Sequence, residues 1–216
     1  MLVSHTKRFA FVHIPKTGGT SLSAVLKPYS DEHPLPLRVV GNFLDNRGFE
    51  RGPLLQMMFG VPRHAPYSDI KTRVGARIDD YYSFAVVRNP WDLVVSEYLY
   101  IKRRPRHYLH KAVSAMASVE DFMDLKLSPS SHPRNRLIQH DFLADSNGEI
   151  GVDFVGRFER ISEDSGAILK TLGIEADLPH ENKTQRKPYR DYHSARSIDM
   201  VAKHFERDIT VFGYDY

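Results

Sequence analysis

The segment of residues 8–29 constrains the fold of this chain more than any other segment. Its first part, RFAFVHI, is rich in β-branched and aromatic residues and is apolar on both alternations, which predicts a buried strand of a parallel sheet. The following PKTGG breaks the strand. TSLSAVLKPY then predicts a helix, for which Thr20 or Ser21 could supply the N-terminal cap. A strand, a glycine loop and a helix in this order are typical of an α/β fold.

Two further apolar segments, YYSFAVVR (81–88) and VDFVGRFE (152–159), predict strands. Residues 29–80 are interrupted by proline and glycine, which predicts loops and short helices over a substrate cleft. Strands that alternate with helices predict an α/β sandwich with a mostly parallel central sheet flanked by helices, and we expect one domain spanning 1–216. Helices are predicted at 90–103, 118–127, 162–173 and 194–209.

The composition excludes several classes of protein. The chain has no cysteine, so disulfides and thiolate zinc sites are excluded. No window reaches the roughly 18 apolar residues of a membrane span, and we expect a cytoplasmic protein. The net charge of +3, from 30 Lys and Arg against 27 Asp and Glu, is too small to indicate nucleic-acid binding. The basic run KRRPRH, Lys102–His107, fits either a solvated helix end or a contact with an acidic acceptor.

The loop after the first strand has the composition of an anion-binding site. Ligands of such sheets bind beyond the carboxyl ends of the strands, where this loop lies. Two glycines let the backbone turn tightly, and the first N–H groups of the next helix have no partner within the helix. The residues that form this predicted site are Lys16, Thr17, Gly18, Gly19, Thr20 and Ser21.

The order of these residues differs from that of an ATP-binding loop. A P-loop kinase carries its lysine after the last glycine, next to a Ser or Thr that binds magnesium, whereas Lys16 precedes both glycines. Magnesium-assisted phosphoryl transfer is therefore poorly supported, although a P-loop nucleotide kinase or NTPase remains the alternative enzyme. A nucleic-acid or anionic-glycan binding module, resting on the basic run, is the alternative without catalysis.

A second group of polar residues follows the strand at 81–87. Arg88 ends this strand, and Ser96 lies in the second turn of the helix that follows. An arginine fork and a hydroxyl can bind a phosphate together. The alternative is structural, with Arg88 paired to Asp92 and Ser96 buried in the helix.

These motifs resemble those of one enzyme family. HIPKTGGTS resembles the 5′-phosphosulfate loop of sulfotransferases, and FAVVRNPWDLVVSEY is similar to their 3′-phosphate motif at Arg88 and Ser96. The segments VDFVGRFERI, LPHENKT and DITVFGYDY are similar to the branch that contains carbohydrate 2-O-sulfotransferases and bacterial relatives. The resemblance implies a P-loop-like three-layer sandwich. It also implies 3′-phosphoadenosine 5′-phosphosulfate (PAPS) as donor, adenosine 3′,5′-bisphosphate (PAP) as product, and no metal.

The resemblance also suggests roles for individual residues. Lys16 would stabilise the charge on the leaving phosphate, and His64 matches the base that takes the proton of the acceptor hydroxyl. His33 and His13 are the rival histidines. Lys183 and Thr184 lie in a segment that folds over the nucleotide in this family. The branch favours a carbohydrate hydroxyl as the acceptor.

Overall fold

The computed structural model describes residues 1–31, 64–178 and 186–216, and these contain a four-stranded sheet in the order β1-β2-β3-β4. Strand β2 pairs in parallel with β3, and β3 in parallel with β4, whereas β1 is antiparallel to β2. The predicted mostly parallel sheet is thus confirmed. The edge strand β1 was not predicted, because three residues are too few to show a pattern. The strands are β1 (Leu2–Ser4), β2 (Phe9–Val12), β3 (Tyr82–Val87) and β4 (Phe154–Arg157).

The predicted helices are present among the described residues, and the short helices at 110–114 and 139–143 were not predicted. Residues 67–74 form one of the short helices predicted between 29 and 80. The helix predicted at 194–209 is two helices that meet at Phe205, which is buried and has a non-helical backbone with φ −101° and ψ 21°. The helix predicted at 162–173 begins one residue earlier, at Ile161, and ends at Thr171. In chain order the α-helices are α1 (Gly19–Leu26), α2 (Tyr67–Val74), α3 (Pro90–Lys102), α4 (His110–Ser114), α5 (Val119–Leu127), α6 (Gln139–Leu143), α7 (Ile161–Thr171), α8 (Ala195–His204) and α9 (Glu206–Phe212).

Local sequence signals explain where several helices begin. Helix α3 starts with Pro90, and the side chain of Asn89 accepts hydrogen bonds from the N–H groups of Trp91 and Asp92. Helix α5 begins with a capping box, in which Ser118 and Asp121 satisfy each other's backbone N–H groups. Short 3₁₀ segments lie at Lys27–Tyr29, Gly75–Asp80, Pro133–Arg136, Phe158–Arg160 and Tyr189–Tyr192.

The chain divides into two compact units. The first unit comprises Met1–Val87 and Asp141–Glu181 and contains the sheet, with α1 and α7 packed on it. The core of this unit is made of buried side chains from the strands and the two helices, among them Phe9, Phe11, Phe84, Leu22 and Ile168.

The second unit comprises Arg88–His140 and Asn182–Tyr216, and α-helices supply most of its core. One face of α3, formed by Val94, Tyr98 and Ile101, is buried against α5 and α8. None of the helices in the described ranges is both long and apolar enough to cross a lipid bilayer.

Candidate active site

The loop between β2 and α1 is held in shape by its own groups. Thr17 is buried, and its Oγ1 donates a hydrogen bond to the Ile14 carbonyl at 3.1 Å. Lys16 and Gly18 both adopt left-handed backbone conformations, with φ of 66° and 81°. A lysine rarely adopts this conformation, and such residues cluster at ligand-binding loops. The Thr17 hydroxyl, which we expected to face a ligand, therefore braces the loop from inside.

The two glycines of the loop are required by close packing. A Cβ on Gly18 would lie 2.8 Å from Phe158 Cδ2, just beyond the end of β4. A Cβ on Gly19 would lie 2.5 Å from His13 Nε2, well inside van der Waals contact. The group that lies closest to Gly19 is therefore the ring of His13.

The N-terminus of α1 lacks a side-chain cap. Gly18 occupies the cap position and has no side chain that could form the cap hydrogen bond. The prediction that Thr20 or Ser21 would cap the helix is thus wrong, because the helix already begins at Gly19. The first N–H groups of a helix have no acceptor within it, and the helix dipole favours an anion there. Thr20 is exposed and Ser21 is buried beside these groups.

Two histidines lie together behind the loop. The exposed His64 has its Nδ1 2.8 Å from the carbonyl oxygen of His13, and the two rings meet edge to face with centroids 4.8 Å apart. The buried ring of His13 stacks on Phe11 at 5.5 Å. Because a carbonyl can only accept, Nδ1 of His64 carries the proton. In the neutral ring the lone pair is then on Nε2, as a general base requires.

Arg88 is buried at the start of the second unit and forms the ion pair that the sequence left open as an alternative. Its Nε and Nη2 donate to Asp92 Oδ2 at 2.9 and 2.7 Å. Ser96 is half-buried on α3, one helical turn beyond Asp92 and on the same face. The structure therefore shows the Arg88–Asp92 pair, and the phosphate-binding role of Arg88 and Ser96 stays a prediction.

The sequence analysis missed Gln139, which holds the backbone of Arg88, and Asp208, which holds Gln139. The Gln139 side chain accepts a hydrogen bond from the Arg88 N–H at 2.7 Å and donates one to the Arg88 carbonyl at 2.8 Å. The fully buried Asp208 accepts from the backbone N–H groups of Gln139 and His140, both at 2.8 Å, and so caps α6. No local pattern links these distant positions, so the sequence carried no signal for them.

Arg186 is a further residue that the sequence analysis missed. Its Nη2 donates to Asp92 Oδ1, so that one carboxylate receives two guanidinium groups, those of Arg88 and Arg186. The side chain of Arg186 is 16% exposed. Its second terminal nitrogen, Nη1, is buried and has no hydrogen-bond partner in the described chain.

Several of the predicted site residues lie outside the residues that the structure describes. Lys183, Thr184 and the rival base His33 lie outside the described residues, as does most of the predicted loop region between 29 and 80. The basic run Lys102–His107 lies at the end of α3, where Lys102 Nζ donates to the Met116 carbonyl at 2.8 Å. Arg104 lies over the ring of Tyr100, 5.3 Å from its centroid.

Comparison with known proteins identifies the family. A sequence profile described as "Sulfotransferase family" matches residues 1–215. The chain belongs to the sulfotransferase family. It is an enzyme of this family, whose sulfuryl donor is PAPS, and this decides against the kinase and binding-module alternatives.

Curated relatives and one solved structure agree with this assignment. The chain is 24% identical to carbohydrate sulfotransferase 10 of Xenopus laevis over 254 residues, covering 99% of this chain and 67% of the relative. It is 22% identical to carbohydrate sulfotransferase 10 of Gallus gallus, covering 99% of this chain and 66% of that relative. It thus spans about two thirds of each. The fold is similar to that of mouse sulfotransferase SULT7A1 complexed with PAP, with a TM-score of 0.57, 15% identity, and coverage of 96% of this chain and 86% of that one. The predicted sulfotransferase fold is therefore confirmed.

Proposed function

We propose that this sulfotransferase transfers a sulfuryl group from PAPS to a hydroxyl group of a carbohydrate. The observation that carries the proposal is the hydrogen bond from His64 Nδ1 to the His13 carbonyl, which leaves Nε2 as the basic nitrogen. His13 begins the loop that contains Lys16, so a base and a cation belong to the same part of the first unit. The carbohydrate acceptor is supported by the names of the two curated relatives.

The residues of the loop fit the 5′-phosphosulfate end of the donor. The uncapped N-terminus of α1 offers backbone N–H groups to an anion, and a glycine at each of positions 18 and 19 keeps the loop free of Cβ atoms. Lys16 adds a full positive charge. The residues that we propose hold this end are Lys16, Thr17, Gly18, Gly19, Thr20 and Ser21, with Thr17 acting through its backbone N–H because its hydroxyl bonds the Ile14 carbonyl.

The 3′-phosphate is assigned to the second unit. Arg88 would bind it through its buried guanidinium, and Ser96 through its hydroxyl. Lys183 and Thr184 are proposed to contact the nucleotide on the strength of the sequence motif alone. ATP has no 3′-phosphate, so such a site would discriminate against it.

The proposed mechanism is an in-line transfer assisted by two residues. PAPS supplies the sulfuryl group. The bond between sulfur and the bridging oxygen breaks, and that oxygen leaves with the 5′-phosphate of PAP. Nε2 of His64 takes the proton of the acceptor hydroxyl while the acceptor oxygen bonds to sulfur. Lys16 neutralises the negative charge that develops on the leaving oxygen. We further propose that residues 1–216 act as one domain, in the cytoplasm and without a metal.

Calorimetric titration with PAP tests the nucleotide assignment. We expect the wild-type protein to bind PAP and Arg88→Ala to bind it about ten- to a hundredfold more weakly, as for the loss of a charge-assisted hydrogen bond. Arg106→Ala, which removes an exposed arginine of the same unit, is the control and should bind as wild type does. Wild-type protein that fails to bind PAP would refute the proposal. Screening carbohydrate and non-carbohydrate alcohols with ³⁵S-labelled donor tests the acceptor class.

A further inference from the structure

Arg186 has a buried donor that the described protein leaves unused. One of its terminal nitrogens, Nη2, bonds Asp92, whereas Nη1 is buried without an acceptor. Buried polar groups in native proteins almost always have a hydrogen-bond partner, and an exception calls for an explanation. An acceptor that binds beside Arg186 would provide one.

The charges around this donor favour an anion as the missing acceptor. Asp92 is shared by two guanidinium groups, and Nη1 of Arg186 is a buried donor that belongs to a cation. Hydrogen bonds from a cation to an anionic acceptor are shorter and stronger than those to a neutral one. A phosphate would accept from Nη1 and add negative charge beside the shared carboxylate.

The surroundings of the cluster point to the same phosphate that we assigned to Arg88. Asp92 holds both guanidinium groups, so Arg186 shares a carboxylate with the residue proposed to bind the 3′-phosphate. Ser96 follows Asp92 by one turn of α3, on the face that carries the carboxylate. All four residues belong to the second unit.

We propose that Arg186 is a second guanidinium ligand of the nucleotide 3′-phosphate, and that Asp92 is a positioning residue that holds Arg88 and Arg186 side by side. This inference rests on the proposed function and extends its 3′-phosphate site by one residue. Two guanidinium groups present more N–H donors to the three phosphate oxygens than one does, and their planar forks match a phosphate geometrically. Asp92 would keep the two cations together when the phosphate is absent.

Binding measurements with two nucleotides test the proposal without any catalytic assay. Calorimetry would compare PAP with adenosine 5′-monophosphate (5′-AMP), which lacks the 3′-phosphate. We expect Arg186→Ala to weaken PAP binding about ten- to a hundredfold and to leave 5′-AMP binding within about twofold of wild type. Arg186→Lys should recover only part of the loss, because an ammonium group cannot reproduce the fork. A parallel titration uses inorganic phosphate. If the binding free energy of inorganic phosphate equals the difference in binding free energy between PAP and 5′-AMP, the cluster is a general phosphate site, and the nucleotide assignment is overturned.

Arg196 provides the matched control. Arg196 also forms a bidentate ion pair with a carboxylate, that of Asp124, but this pair lies on the exposed surface of the same unit. Arg196→Ala should leave both affinities unchanged. If Arg186→Ala weakens PAP and 5′-AMP equally, the role of Arg186 is structural and the inference is wrong. If Arg88→Ala loses PAP while Arg186→Ala does not, the inference fails and the proposed function stands. If the wild type does not bind PAP, both fail.

The role of Asp92 is tested by coupling. Asp92→Asn keeps the shape of the side chain but removes the charge that holds the two arginines. We expect Asp92→Asn to weaken PAP more than 5′-AMP, and the double variant with Arg186→Ala to be little weaker than the more affected single variant. Fully additive losses would show that Asp92 does not act through Arg186 and would refute the positioning role.

Discussion

Different interactions shape the two proposed halves of the site. One half is the loop of residues 13–21 in the first unit, and the other is the cluster of Arg88, Asp92 and Arg186 in the second. The loop is shaped by close packing, since Gly18 and Gly19 exclude Cβ atoms and Thr17 bonds the backbone. The cluster is shaped by charge, since one carboxylate receives two guanidinium groups. Substitutions in the loop should therefore act through shape, and those in the cluster through charge balance and buried hydrogen bonds.

The largest effect is expected at the loop, from His64→Ala. Loss of a general base lowers turnover by about a hundred- to ten-thousandfold. PAP affinity should stay within about twofold, because His64 is not proposed to bind the nucleotide. The measurement is the initial rate at saturating PAPS with an acceptor found in the screen, together with a PAP titration.

His110→Ala is the control for this variant. Its Nδ1 lies 2.9 Å from the Ile101 carbonyl, the same kind of contact that His64 makes, but in the second unit. Its removal should leave turnover within about twofold. A His64→Ala enzyme with wild-type turnover would exclude His64 from the mechanism and reopen the choice of base.

The next effect concerns the support of the cluster, through Asp208→Ala. This change leaves the backbone N–H groups of Gln139 and His140 buried without their acceptor, and we expect the free energy of unfolding to fall by about 3 kcal/mol or more. Gln139 also clamps the Arg88 backbone, so PAP affinity should fall as well. Urea unfolding and calorimetry measure the two quantities.

Asp199→Ala, on the exposed side of α8, should change the stability by less than about 0.5 kcal/mol. If Asp208→Ala changes the free energy of unfolding as little as Asp199→Ala does, the hydrogen bonds around Arg88 do not stabilise the second unit. The cluster would then not depend on buried hydrogen bonds, in contradiction to the comparison with the loop.

The same contrast explains which features the sequence could predict. Strand β2, its glycine loop and helix α1 are neighbours in the chain, so their pattern was sufficient to predict this part of the fold, and the anion site in the loop stays a prediction. The cap of α5 was equally local, with Ser118 and Asp121 three residues apart.

The partners of Arg88 were hidden because they come from distant segments. Asp92 was foreseen as a partner because it lies four residues away, whereas Gln139 and Arg186 come from positions that no periodicity connects to it. The left-handed backbone of Lys16 was also unforeseen, because nothing in the residue type favours it.

A smaller effect is expected from Gly19→Ala. The new methyl group would overlap the buried His13 ring, which stacks on Phe11 and has little room to move, and we expect a loss of about 1–3 kcal/mol of stability. Turnover should also fall, because the His13 carbonyl holds His64. Chemical denaturation and initial rates measure these changes.

Gly166→Ala is the matched control, since a Cβ there meets nothing within 4 Å on α7. It should stabilise the protein by about 0.5–1 kcal/mol, because alanine favours the helix. Equal stability of the two variants would show that the loop tolerates added volume and is not shaped by packing.

The smallest effect is a pH dependence in the second unit. Burial lowers the pKa of His193 below its usual value of 6.5, although its hydrogen bond to the Trp91 carbonyl and the charge of Asp92 act in the opposite direction. The unfolded chain therefore binds the proton first as the pH falls, so His193 contributes stability above pH 6.5 that declines below it. We expect the melting temperature to be lower at pH 5.5 than at pH 7.5, and His193→Gln to remove part of that difference, about 3 °C at most. Two outcomes would contradict this prediction: a stability that rises below pH 6.5, or a His193→Gln variant with the same difference in melting temperature between pH 5.5 and pH 7.5 as the wild type. Either would show that burial of the neutral His193 ring does not stabilise the second unit.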